Sequence, residues 1–243
     1  MKKWIVLILG VLCILLRSVG LADSFEITGI EYQGDGSTVI TWSPYSGGGP
    51  YYVLVQHQPD GMVQIVDMLK KGEKCTTASL VPGETYLVTI CAQSKYYTDD
   101  REITIPGSEY TDLSIQASFE PRRRDSKKLR TVKSFSADDI LESLETIEFG
   151  GYLRLRHPQL KQNRTYPWTL AIRLPDQDLY VCYYKENDLL KGEKNKTQSV
   201  YYDLSEDFYY INLWKGFLPV GEYQLELYFG GQHVCNAPFE MTK

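Results

Sequence analysis

The sequence predicts an all-β protein built from two β-sandwich domains, the second with a short inserted helix. Past residue 22 the chain is a succession of short runs rich in Val, Ile, Thr and Tyr, many alternating apolar with polar, which is the pattern of half-buried strands. Between the runs stand Gly-Asp-Gly (34–36), Gly-Gly-Gly-Pro (47–50), Pro-Asp-Gly (59–61) and Pro-Gly (82–83). These residues supply positive φ or preset φ near −65° and so mark turns. A length of 243 residues leaves room for two small domains.

The first 22 residues read as a cleaved export signal. Lys2 and Lys3 form a basic start, Trp4 to Leu16 is a continuous apolar run, and Gly20 and Ala22 give the small-x-small pattern before a cut after Ala22. A helical run of that length covers about 20 Å, less than the ~30 Å hydrocarbon core, so no membrane anchor is expected to remain after cleavage. Loss of Lys2, Lys3 and Arg17 takes the formal net charge from −5 to −8. An acidic balance speaks against general nucleic-acid binding. The short Met-Lys-Lys opening reads as bacterial, and the expected location is secreted or cell-surface.

The first domain is expected over residues 24–106. Its strands are Phe25–Tyr32, Thr38–Trp42, Pro50–Gln56, Val63–Asp67, Lys74–Leu80, Thr85–Ala92 and Glu102–Pro106. Seven short strands in about 80 residues fit one sandwich. The second strand ends in "VITWSP" with Trp42, the third reads "PYYVLVQ", and the fifth-to-sixth connection is "LVPGETYLVTICA". With these three features the segment resembles a fibronectin type III domain. The resemblance implies a buried Trp42, a tyrosine corner at Tyr86, and a binding or spacer role without catalytic residues.

The second domain is expected over 111–243, after a linker at 107–110. Residues 113–120 alternate as a strand. Residues 121–130, PRRRDSKKLR, are basic and non-periodic and read as a surface loop. Ser136 to Glu145 reads as a helix, with Ser136 as N-cap, Asp138 and Asp139 in the first turn, and Ile140, Leu141 and Leu144 on one face. Strands follow at 152–156, 169–174, 179–184, 200–204, 208–213, 222–229 and 233–241, the last two joined by a Gly-Gly turn at 230–231. The pattern is that of an Ig-like sandwich, with no internal repeat beyond the shared strand rhythm.

Chemistry-bearing patterns are sparse. His57, His157 and His233 are scattered and read as isolated surface or edge residues, with no metal-ligand spacing. There is no nucleophile elbow and no phosphate loop ahead of a helix. No catalytic residue, metal or cofactor is expected. Asn163 and Asn195 stand in glycosylation sequons that matter only in a eukaryotic secretory pathway.

Two features suggest binding. The 19 tyrosines include the pairs Tyr51-Tyr52, Tyr96-Tyr97, Tyr183-Tyr184, Tyr201-Tyr202 and Tyr209-Tyr210. In a strand one member of each pair faces outward. Tyr96, Tyr97, Tyr183, Tyr201 and Tyr209 are therefore candidate contact residues for a protein or a sugar ring, or members of stabilising cross-strand ladders. The second feature is Arg122, Arg123 and Arg124 with Lys127, Lys128 and Arg130, either an anion-docking loop or a solvated one.

Four cysteines remain after signal removal: Cys75, Cys91, Cys182 and Cys235. An even number in an exported chain suggests two disulfides, with three connectivities possible. Cys75–Cys91 with Cys182–Cys235 keeps each bond within one domain. By strand alternation, though, Cys91 points outward, and its bond would need a bulge or an edge position. The expected function is a secreted or cell-surface, non-catalytic binding protein for an extracellular protein or glycan. The alternative is an accessory component of a secreted hydrolase, or an enzyme with an unrecognised site in the second domain.

Overall fold

In a computed structural model, described residues are 25–34, 37–59, 61–107, 114–125, 128–142, 147–156, 168–182 and 195–243. The leader segment, Lys127, His157, Asn163 and Tyr183 lie outside them. The chain divides into two compact units, the first reaching Pro106 and the second covering Gly107–Lys243.

The first unit contains β1 (Ile27–Tyr32), β2 (Ser37–Trp42), β3 (Tyr51–His57), β4 (Val63–Leu69), β5 (Cys75–Ser79), β6 (Thr85–Ala92), β7 (Tyr96–Tyr97) and β8 (Arg101–Thr104). One sheet runs β1-β2-β5. The other runs β4-β3-β6, with β7 and β8 both pairing β6. Apolar side chains alternate inward from both: Ile40, Val53, Val55, Val88 and Ile90 are fully buried, and the Trp42 ring lies 5.7 Å from that of Tyr51. Tyr86 is buried, and its hydroxyl accepts a hydrogen bond from the Val81 N–H at 3.2 Å, which is a tyrosine corner. Thr76 of β5 donates to the Asp67 carboxylate of β4 and ties the two sheets at one margin. This is a fibronectin type III-like sandwich.

At 51–52 the alternation holds, but the exposure expected of the outward tyrosine is corrected. Tyr51 and Tyr52 are both buried. Tyr52 lies on the outer sheet face, but Leu54 and Cys91 form an apolar layer with it there, edged by Val63, Ile65 and Tyr97.

The second unit contains β9 (Ser114–Asp125), β10 (Lys128–Thr131), β11 (Ser134–Ser136), α1 (Ala137–Leu141), β12 (Ile147–Arg156), β13 (Trp168–Arg173), β14 (Leu179–Cys182), β15 (Asn195–Asp203), α2 (Ser205–Lys215), β16 (Gly221–Phe229) and β17 (Gln232–Thr242). Its sheets are β10-β9-β12-β15 and β11-β17-β16-β13-β14. All pairings are antiparallel except β11 with β17. Ser136 caps α1 by accepting from the Asp139 N–H, as its sequence implied. Gly230 and Gly231, at φ 53° and 76°, form the expected two-glycine turn, a geometry that needs positive φ at both central residues.

Two elements depart from expectation. Residues 121–125 and 128–130 are not a loop: β9 runs on to Asp125 and pairs antiparallel with β10, with Arg130 opposite Arg123 and Leu129 opposite Arg124. Residues 208–213 are helical, not a strand. Leu204, Phe208 and Ile211 are fully buried at i, i+4, i+7 spacing. Glu206 and Asp207 stand in the first turn, Lys215 in the last, and Gly216 ends the helix at φ 77°. Those charges suit the helix dipole, and the glycine suits the left-handed stop. The Phe208 ring packs edge-on against Tyr223 and Phe239 at 5.7 and 5.9 Å, which seats α2 on the second sheet.

Candidate functional site

The side chains best arranged for recognition stand at one end of the first unit, where the β2–β3 and β6–β7 connections meet. The β2–β3 connection carries Tyr45 and Gly47 to Gly49. Gly48 N–H donates to the Tyr45 carbonyl at 2.8 Å, and Tyr45 N–H donates to the Tyr51 hydroxyl at 3.0 Å. The two connections are laced together by Gln93. Its side-chain amide donates to the Gly47 carbonyl at 2.7 Å, and its backbone N–H to the Pro50 carbonyl at 2.9 Å. Across this frame the Tyr96 ring stacks on Tyr45, centroids 4.5 Å apart and planes 25° apart. Phe25 braces Tyr45 from the edge at 5.5 Å. Phe25 is buried, whereas Tyr45 and Tyr96 are half-buried.

The tip beside this pair is conformationally costly. Gln93 and Ser94 hold φ of 53° and 58°, and the turn closes with Lys95 N–H donating to the Ala92 carbonyl at 3.1 Å. Two successive left-handed residues that are not glycine cost on the order of 1–3 kcal/mol each. Such strain persists where surrounding structure enforces it, and here the Gln93 lacing does so. A stacked, half-exposed aromatic pair on a strained and hydrogen-bonded frame is a preorganised platform: little rotamer freedom is left to lose when something binds.

The other expected contact residues are not gathered there. Tyr97 belongs to the apolar layer over Tyr52 and Cys91. Tyr201 occupies a β15 position opposite Gly150. Tyr209 is on α2, its ring 6.3 Å from that of Tyr210. Arg122, Arg123 and Arg124 are at ladder positions in β9, opposite Thr131, Arg130 and Leu129. Tyr45 was not singled out from sequence. Its signal is the Gly-Gly-Gly run beside it: a Cβ on Gly47 would come within 2.5 Å of the Tyr45 ring.

The disulfide expectation is corrected. No disulfide joins Cys75, Cys91, Cys182 or Cys235 among the described residues. Cys182, Leu170, Leu227 and Cys235 sit abreast on four successive strands, so the two cysteines are roughly 14 Å apart at ordinary strand spacing, beyond the reach of a bond. Cys75 alternates with buried Thr76 and Ala78 and faces away from the core. Cys91 faces away from the core of the opposite sheet, so the sandwich stands between them. Burial pushes the Cys182 thiol well up, and that of Cys235 to about 11.

The histidine expectation changes at one position. His57 is buried against Tyr86 and bonded to Glu84 at 2.9 Å, whereas His233 is exposed and bonded to Asn236 at 2.6 Å. Among the described residues no group of three or more His, Cys, Asp or Glu side chains is placed to hold a metal. No described helix is long and apolar enough to cross a membrane.

The second unit has an open recess of about 320 Å³ lined by Arg173, Leu174, Pro175, Gln177, Glu222 and Gln224. Arg173 meets the buried Glu226 at 2.6 Å, and Tyr228 donates to the same carboxylate at 2.8 Å.

No family model matches the sequence, and no curated protein matches it. Among solved structures, the chain is similar to the FN1–FN3 domains of chicken CNTN1, at 10% identity over 92% of this chain and 68% of that one, with a TM-score of 0.32. It is similar as well to a two-domain fibronectin type III segment of chicken tenascin, at 10% identity over 91% of this chain and 100% of that one, with a TM-score of 0.30. The fibronectin-like description of the first unit stands on its strand order and tyrosine corner.

Proposed function

We propose that the chain is an exported, non-catalytic binding protein that recognises an extracellular protein or glycan through the Tyr45–Tyr96 platform. The observation that carries this reading is the stacked pair itself, half-exposed on two loops fixed to each other by Gln93. An aromatic face offers dispersion contact to an apolar side chain or a sugar ring, and the phenol tip offers a hydrogen bond. Export rests on the leader sequence, Lys2 through Ala22.

The test is a glycan array and an extracellular-protein pull-down with the wild-type chain and a Tyr45→Ala/Tyr96→Ala variant. The expected result is a captured ligand whose binding falls at least tenfold in the variant. Undiminished binding by the variant would move the site elsewhere, and hydrolysis of an arrayed glycan would replace the reading with an enzymatic one.

A further inference from the structure

The helix α2 is fastened at both ends to the margins of the second unit's sheets. At its start, Asp207 accepts hydrogen bonds from Tyr180 of β14 and Tyr202 of β15. Those are edge strands of the two sheets. At its end, Lys215 Nζ meets Asp176 at 2.7 Å and Asp178 at 3.1 Å in the turn between β13 and β14. Between the fastenings, Phe208 and Ile211 are buried.

The two fastenings differ in charge. Lys215 and its partners are opposite ions. Asp207 is only 7% exposed, and the groups facing it are Tyr180 and Cys182 from β14, Tyr202 and Asp203 from β15, and Glu206 and Tyr210 from α2 itself. None is a cation. Glu226, the other buried carboxylate among the described residues, has Arg173 against it. A buried carboxylate without a cation is expensive to ionise, and two hydroxyl donors offset that only in part.

We propose that Asp207 is a proton-operated clasp: while its carboxyl is neutral the start of α2 stays docked against Tyr180 of β14 and Tyr202 of β15, and ionisation loosens it. Burial is the largest influence on the group. The two tyrosine bonds pull the other way, Glu206 and Asp203 add repulsion, and the carboxyl is pushed up to about 7. The direction of the linkage follows. Between about pH 4, where an unfolded Asp titrates, and about pH 7, the folded chain holds a proton that the unfolded chain has lost. The clasp is therefore firmest at low pH, weakens as pH rises through that window, and is weakest above neutrality.

Hydrogen–deuterium exchange of the full chain at pH 6 and pH 8, corrected for intrinsic rates, tests this together with a carbon-13 titration of the Asp207 carboxyl. Amides of residues 208–211 are expected to lose at least tenfold protection at pH 8, and Asp207→Asn to abolish that pH dependence. Asp176→Asn, at the far end of the helix, is expected to leave it intact. Where Asp207→Asn does not fold, Tyr202→Phe removes one donor to the carboxylate and should raise the titration midpoint by at least half a pH unit. A carboxyl titrating near pH 4, protection equal at both pH values, or an unmoved midpoint in Tyr202→Phe would each overturn the clasp.

Discussion

The Tyr223 hydroxyl donates a 2.6 Å hydrogen bond to the carbonyl of Pro219, four residues upstream. Tyr86 stands in a comparable relation to Val81, accepting from its N–H. Each tyrosine is fully buried near the start of a central strand and pins the connection that leads into it. The preceding sequences, Leu-Val-Pro-Gly-Glu-Thr before Tyr86 and Leu-Pro-Val-Gly-Glu before Tyr223, share the motif in altered order. Tyr→Phe at either site keeps the ring and removes only the bond. Tyr86→Phe leaves a buried N–H without that partner and should cost about 1–3 kcal/mol; Tyr223→Phe should cost about 1 kcal/mol. Urea unfolding with an unchanged m-value would check both.

Gly47→Ala should disturb the platform more than the fold. The added methyl would meet the Tyr45 ring at 2.5 Å and the Gln93 amide at 3.1 Å, so the ring must turn off Tyr96. Ligand affinity is expected to fall about tenfold, the equivalent of ~1.4 kcal/mol, while the thermal midpoint changes by only a few degrees. Titration calorimetry beside a melting curve separates the two effects.

Arg173→Met removes the cation from Glu226 and leaves a buried carboxylate with Tyr228 alone. Breaking one side of such a pair costs about 3–5 kcal/mol. Arg173→Met combined with Glu226→Gln should recover much of that loss. Chemical unfolding of the single and double variants would show the recovery; equal losses in both would mean that the ion pair is not what holds this face.

Thiol labelling distinguishes the four cysteines by position. Under native conditions iodoacetamide should modify Cys75, which is exposed, within minutes. Cys91 and Cys182, both buried, should stay protected until the chain is denatured. Peptide mass spectrometry without reductant should then find every cysteine alkylated.

The first unit was legible because its signals are local. "VITW", "PYYVLVQ" and the Leu-Val-Pro-Gly-Glu-Thr-Tyr turn each fix a strand end or a core position within a few residues. The second unit misled where local and tertiary preferences compete. Phe208-Tyr209-Tyr210-Ile211 favours a strand by composition. The helix wins because Leu204, Phe208 and Ile211 share one buried face and the acids and Gly216 punctuate it. The arginine run lacks apolar alternation, yet pairing with β12 and β10 holds it extended. The Tyr45–Tyr96 stack joins residues 51 positions apart in sequence, and no spacing rule reaches across that interval. The cysteines failed for a related reason: their even number said nothing about which faces they occupy.

The parallel pairing of β11 with β17 carries a kinetic consequence. Phe135 lies beside Met241 in that ladder, and Thr242 bonds to the Phe135 carbonyl across 107 positions of chain. The rim of the sheet is thus joined by contacts that no hairpin can deliver. Closing so wide an interval demands a long conformational search before any contact rewards it. The β16–β17 hairpin, turning on two glycines, can form early and wait. In folding order, β11 is then a late arrival, and the second unit stays open along that rim until it docks.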